Sequence, residues 1–131
     1  MTDAPPAVVL VVDDEEPVRR LARRILESAG YEVLDSSRSL DAISILSDGA
    51  TVVDLLVADL EMPELAGEEM ARRIRIIHPD LRVLYVTGYI DRLLDARPML
   101  WEGEAYLDKP FSSSGLLEAV SLLLTGKLGS G

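Results

Sequence analysis

The chain has 131 residues and carries a formal charge of −10, from 23 acidic against 13 basic side chains, with no cysteine. That length suits one compact domain, and a hydrophobic content of 48% argues against disorder. The missing cysteines remove disulfides, thiolate metal sites and cysteine nucleophiles, the single histidine (His78) argues against a histidine triad or zinc site, and the acidic balance disfavours direct nucleic-acid binding.

The N-terminal stretch Met1 to Pro6 has no positive charge ahead of an apolar run, so it does not read as a secretory signal. No apolar run reaches the roughly 18–20 residues that cross a bilayer. A cytoplasmic domain without membrane insertion is expected, spanning residues 7–125 between a flexible N-terminus (1–6) and a flexible glycine-rich tail (126–131).

The first apolar run, Val8 to Val12, reads as a strand buried on both faces. It stops at Asp13-Asp14-Glu15-Glu16. Pro17 suits a first helical turn, Val18, Leu21, Ala22, Ile25 and Ala29 follow at helical spacing, and Gly30 is a natural stop. A weaker strand is expected over 31–35, then a short helix marked by Ala42, Ile43, Ile45 and Leu46, ending near Gly49. The third strand, Leu55 to Ala58, runs into Asp59. After Met62-Pro63 a helix begins near Gly67 and breaks at His78-Pro79. The fourth strand, Arg82 to Val86, meets Thr87-Gly88. A fourth helix over Tyr89 to Ala96 is expected to be short or kinked, because Pro98 removes a backbone donor and clashes one turn back. Residues 104–108 form the fifth strand, Lys109-Pro110-Phe111 follow, and Ser112 to Ser114 offer caps for a last helix carrying Leu116, Leu117, Val120, Leu123 and Leu124.

Strands alternating with helices imply an α/β fold: a doubly wound parallel sheet with helices on both faces. Ligands in such folds sit at the carboxyl ends of the strands. Asp13, Asp14, Asp59, Thr87 and Lys109 all follow strands directly, so all five belong to one sheet edge. Three carboxylates that close repel one another unless a cation neutralises them, and oxygen-only donors favour a hard ion, Mg2+ above all. Lys109 and the Thr87 hydroxyl could each hold a phosphoryl oxygen, and an oxygen of Asp59 could attack phosphorus to form an acyl phosphate. Each residue alone has a plainer reading. Asp13 to Glu16 make an ordinary solvated helix start, Asp59 a turn residue, Thr87-Gly88 a strand exit and Lys109 a surface loop. Four strand ends carrying the needed groups together change that balance.

The runs VLVVDDEE (9–16), LLVADLEMPELAG (55–67), VLYVTGY (83–89) and AYLDKPF (105–111) resemble, in content, order and spacing, the receiver domain of two-component response regulators. The resemblance covers almost the whole chain. It implies a single flavodoxin-like (βα)5 domain with five parallel strands in the order 2-1-3-4-5. It implies a phosphorylation-dependent switch, not a turnover enzyme, that takes a phosphoryl group from the phosphohistidine of a sensor histidine kinase or histidine phosphotransfer protein. By that resemblance Asp59 is the phosphoacceptor. Asp13 and Asp14 are the acidic pair, Asp14 binding Mg2+ directly and Asp13 largely through water, and Glu61 offers a backbone carbonyl to the same ion. Thr87 is the switch hydroxyl, Lys109 the lysine that pairs first with carboxylate and then with phosphate, and Tyr106 the aromatic that swings inward. Pro110 is expected to follow a cis bond. The responding surface is the fourth helix, fifth strand and fifth helix, serving a downstream protein or a phosphorylation-dependent dimer.

Departures from the family pattern are the loop Glu64-Leu65-Ala66-Gly67, the carboxylate of Glu61, which with Tyr89 is expected to tune the lifetime of the acyl phosphate, and Pro98 in the fourth helix. LYVTGY and LDKPF also resemble receivers attached to hybrid histidine kinases. Seven residues follow Leu124, so the expectation is either a single-domain receiver or a receiver from a longer protein. Two alternatives stand beside the switch. One is a Mg2+-dependent phosphohydrolase of the haloacid dehalogenase type, whose nucleophile belongs to the first strand with a second Asp two residues on. The other is a receiver that works without phosphorylation as an interaction module.

Overall fold

The computed structural model describes residues 5–88 and 103–126. In chain order these form β1 (Val8–Val12), α1 (Glu16–Ser28), β2 (Glu32–Ser36), α2 (Ser39–Ser47), β3 (Leu55–Asp59), α3 (Gly67–Ile77), β4 (Arg82–Thr87), β5 (Glu104–Asp108) and α4 (Ser113–Thr125). All strand pairs are parallel, and the order is β2-β1-β3-β4-β5. The expected doubly wound sheet is therefore the observed one. The expected helix over 89–96, Tyr89, Pro98 and most of both flexible ends lie outside the described residues.

Because successive strand residues face opposite sides of a sheet, each buried strand feeds two cores. Leu10, Val12, Leu56, Ala58, Val83 and Tyr85 pack with α2 and α3 on one face. Val9, Val11, Leu55, Val57, Leu84 and Val86 pack with α1 and α4 on the other. Every residue of β3 is buried, which places the strand that carries Asp59 at the centre of the sheet.

Several boundaries differ from the expected ones by a residue or more, and each has a hydrogen-bond cause. β2 begins at Glu32, not Tyr31, because the Tyr31 amide closes α1 by donating to Leu26 O (3.2 Å). It ends at Ser36, whose carbonyl accepts from the Asp13 amide (3.2 Å). Asp59 and Thr87 lie inside their strands, in register with Val86 and Asp108. α2 starts at Ser39, ahead of its apolar stripe; the buried Ser39 hydroxyl donates to Leu65 O (2.8 Å) and ties this turn to the loop after β3. Pro17 occupies the first turn of α1, and the Ser112 hydroxyl caps α4 by accepting from the Gly115 amide (3.0 Å). No helix among the described residues is long and apolar enough to cross a membrane.

Gly67 sits where α3 meets the end of β3. Its amide donates to Leu60 O (3.2 Å), and a Cβ placed there would lie 2.4 Å from the carbonyl oxygen of Asp59. That neighbour is backbone and cannot rotate away, so any side chain forces helix and strand apart. Gly67→Ala is expected to destabilise the protein by about 1–3 kcal/mol, read as a lower thermal midpoint, whereas Gly49→Asn just beyond α2, with open space around its Cβ position and a left-handed φ of 72° that asparagine tolerates, should cost less.

Candidate functional site: an acidic pocket at the strand ends

β1, β3 and β5 end at the same edge, and their last turns deliver Asp13, Asp59 and Lys109 to one point. Lys109 Nζ lies 3.0 Å from Asp13 Oδ2, 3.2 Å from Asp59 Oδ2 and 3.0 Å from Glu15 Oε1. Asp13 and Asp59 are buried and Asp14 is exposed. One carboxylate oxygen from each of Asp13, Asp14 and Asp59 falls within 4.8 Å of the others. Oxygen donors at that spacing, without nitrogen or sulfur, suit a hard divalent cation, whose opposed ligands lie about 4 Å apart.

Hydrogen bonds from the backbone fix the aspartates. Asp59 Oδ1 accepts from the Glu61 amide (3.0 Å), which leaves Oδ2 towards Lys109. Asp13 Oδ1 accepts from the Glu15 amide (2.8 Å), and the Asp13 carbonyl accepts from Arg19 Nη1 (2.8 Å). Lys109 itself is placed by its amide, which donates to Thr87 O (3.0 Å), and the following Lys109–Pro110 bond is cis. Thr87 is buried, and its hydroxyl donates to Glu61 Oε1 (3.2 Å). Tyr106 is half-buried with its ring on Tyr85, centroids 5.5 Å apart.

The structure thus brings together Asp13, Asp14, Asp59, Glu61, Thr87 and Lys109, as read from the sequence, and places Tyr106 beside Tyr85, two residues before Thr87 on β4. Sequence reasoning missed Glu15 and Arg19. Glu15 looks no different from Glu16, yet only Glu15, outside the first turn of α1, reaches Lys109. Arg19 bonds a backbone atom six residues back, and no motif marks that contact. It also approaches Asp35 (3.9 Å), which Arg23 holds more closely (2.7 Å). At the rim, Arg38 forks onto Glu64 and ties the β2–α2 loop to the loop beyond Pro63; this pairing holds the Glu64 carboxyl below its usual range.

One ammonium among three acids leaves an imbalance. Burial, reinforced by the charge of Asp59, pushes the Asp13 carboxyl above its ordinary range despite the Glu15 amide and Lys109. Burial also opposes the charge on Lys109, but its bonds to Asp13 and Glu15 outweigh burial and hold the ammonium above its ordinary range. The two shifts have opposite meanings for stability. Lys109 stabilises the fold up to its ordinary range and loses this only as pH rises through its elevated value. Asp13 binds its proton more tightly when folded, so stability falls as pH rises from the ordinary carboxylate range through its elevated value. At neutral pH, without metal, ionised Asp13 is a net liability.

Such a doubly wound sheet, with an acidic pocket and a lysine at the carboxyl ends of its strands, defines a flavodoxin-like α/β domain with its candidate site at that edge. The family described as "Response regulator receiver domain" matches residues 9–121, and the chain belongs to that family. It is 35% identical over 119 residues to the sensor kinase CckA of Brucella abortus (strain 2308), covering 90% of this chain but 12% of that protein. It is 31% identical over 116 residues to the response regulator receiver protein CpdR of the same organism, covering 88% of this chain and 95% of CpdR. Among solved structures, the receiver domain of the hybrid histidine kinase CckA superposes with a TM-score of 0.78 at 30% identity, covering 91% of this chain and 100% of that one. The family match favours a receiver over a hydrolase of the haloacid dehalogenase type.

Replacing Asp13 by Asn keeps the Oδ1 acceptor for the Glu15 amide and removes the disfavoured charge. Asp13→Asn is expected to raise the stability of the metal-free protein at pH 7 by about 0.5–2 kcal/mol. The gain should vanish below about pH 3.8, the ordinary carboxylate value, as followed by thermal melts across pH.

Proposed function

We propose that this receiver is a phosphorylation-dependent switch of a two-component phosphorelay, with Asp59 as phosphoacceptor. The observation that carries the reading is the contact of Lys109 Nζ with both Asp13 and Asp59, 3.0 and 3.2 Å away. A phosphoryl group arriving at Asp59 would meet a cation already in place.

The donor is the phosphohistidine of a sensor histidine kinase or a histidine phosphotransfer protein. An oxygen of Asp59 attacks phosphorus, the phosphorus–nitrogen bond breaks, and an acyl phosphate forms on Asp59. Oδ2, the oxygen facing Lys109, is the one we assign to attack, because Oδ1 is occupied by the Glu61 amide. Lys109 then shifts from carboxylate to a phosphoryl oxygen. Asp13, Asp14 and Asp59, with the backbone carbonyl of Glu61, would hold Mg2+, which neutralises the acids and screens the incoming dianion when bound. The Thr87 hydroxyl leaves Glu61 for another phosphoryl oxygen, so the Glu61 carboxylate competes with the phosphoryl group for this donor. Tyr106 follows Thr87 inward and changes the surface formed by the helix expected over 89–96, β5 and α4.

Phosphorylation in this scheme shifts a two-state equilibrium and is not sustained turnover. The surface so altered would be read by a downstream protein or by a second copy of the chain, in the cytoplasm.

Incubation with Mg2+ and phosphoramidate, followed by intact mass measurement, tests the proposal. Wild type should gain one phosphoryl group, and Asp59→Asn or a Mg2+-free sample should gain none or far less. Equal uptake by Asp59→Asn, or continuous hydrolysis of the donor without a phosphorylated protein, would overturn it.

A further inference from the structure

A buried ion pair lies beneath the pocket, where phosphoryl chemistry has no use for it. Glu104 opens β5 with its side chain 2% exposed, and Arg75 of α3 reaches it from the adjoining layer, itself 15% exposed, with Nη1 to Oε2 at 3.0 Å. Arg75 is fixed by two further bonds, Nε and Nη2 both donating to Leu81 O at 3.2 and 3.0 Å. The same Glu104 oxygen accepts from the Tyr85 hydroxyl at 3.0 Å. Tyr85 is 1% exposed, and its ring packs at a 38° tilt against Tyr106, its register partner on β5.

These residues share one side of the sheet. Tyr85 lies two residues before Thr87 on β4, and Glu104 two before Tyr106 on β5, so period-two alternation puts all four on the face that meets α3. A buried ion pair is a weak source of stability, since well-packed apolar residues of similar volume hold a fold as well or better. What apolar residues cannot do is fix a hydroxyl. An aromatic ring in an apolar layer is free to tilt, whereas one whose para oxygen is bonded to a clamped carboxylate is held at both ends.

We infer that Glu104, oriented by Arg75, is a positioning residue for the switch aromatic: it pins the Tyr85 ring, and that ring is the wall that sets where Tyr106 can sit. The inference rests on the reading of Tyr106 as the residue that moves with Thr87. It ties the switch to α3 as well as to the surface around β5. Loosening the wall leaves chemistry at Asp59 alone and blurs the two positions of Tyr106.

The test is fluorine NMR on the full chain labelled with 3-fluorotyrosine, the four tyrosines being assigned by single Tyr→Phe changes. Two variants loosen the wall in different ways. Tyr85→Phe keeps the ring and removes its anchor, and Arg75→Met/Glu104→Leu replaces the pair with apolar volume. Before phosphodonor is added, both are expected to broaden or split the Tyr106 signal. With Mg2+ and phosphoramidate, the change in that signal should shrink by about 2-fold or more, while intact mass records wild-type phosphoryl uptake. A purely structural role would lower the melting temperature and leave the Tyr106 signal and its response as in wild type, and that result overturns the inference. Should the double variant not fold, Tyr85→Phe decides alone. Should wild type take up no phosphoryl group, the proposed function fails, yet the Tyr106 signal in the untreated proteins still decides this inference.

Discussion

A single ammonium shared among three carboxylates governs the architecture of this domain. Lys109 can reach Asp13, Asp59 and Glu15 together only if β1, β3 and β5 end at one edge, which parallel strands with helical crossovers provide. The order β2-β1-β3-β4-β5 puts β3 in the middle, so Asp59 is walled by apolar strands on either side. Burial there raises the cost of every uncompensated charge and makes the pocket demand a cation. The close seat of Gly67 against the Asp59 carbonyl keeps α3 from drifting off that edge.

Two polar arrangements then divide the work. At the pocket, Glu61 Oε1 accepts from the Thr87 hydroxyl at 3.2 Å, the donor that the proposed phosphoryl group would have to win. Deeper in the same face, Arg75, Glu104 and Tyr85 support Tyr106 from behind. The first joins the buried Thr87 hydroxyl to the exposed side chain of Glu61. The second lies between α3 and the sheet, with Glu104 and Tyr85 buried. The proposed switch would need both a contact that yields and a surface that does not.

Much of this was legible in the sequence, for physical reasons. Fully buried parallel strands must be apolar along their length, so Val8 to Val12 and Leu55 to Ala58 announced themselves, and polar residues at their ends had to lie on the sheet edge. The short shifts at β2, β3 and β4 were not legible, because ladder bonds such as Lys109 N to Thr87 O (3.0 Å) extend strands through polar residues that pattern alone assigns to loops. Glu15, Arg19 and Glu104 were missed for another reason. Their roles come from partners 94, 6 and 29 residues distant along the chain, and an isolated acid or arginine reads as solvated surface. Glu104 in particular, expected only as the first residue of the fifth strand, is nearly as buried as the core.

The chain spans 95% of the receiver protein CpdR but 12% of the sensor kinase CckA and 24% of the transcriptional regulator DctD of Pseudomonas aeruginosa. The same domain thus recurs in proteins of different size and kind. What these relatives do as whole proteins lies beyond the matched domain, but the strand-end pocket lies within it.

The shared ammonium is tested most directly by titrating Mg2+ into wild type and Lys109→Met by calorimetry, with phosphoryl uptake measured on the same samples. If Lys109 is the resident counter-charge of the pocket, its removal leaves the three acids uncompensated. Mg2+ should then bind Lys109→Met several-fold more tightly, on the order of 1 kcal/mol, while uptake at Asp59 falls. Unchanged or weaker Mg2+ binding together with normal uptake would contradict it.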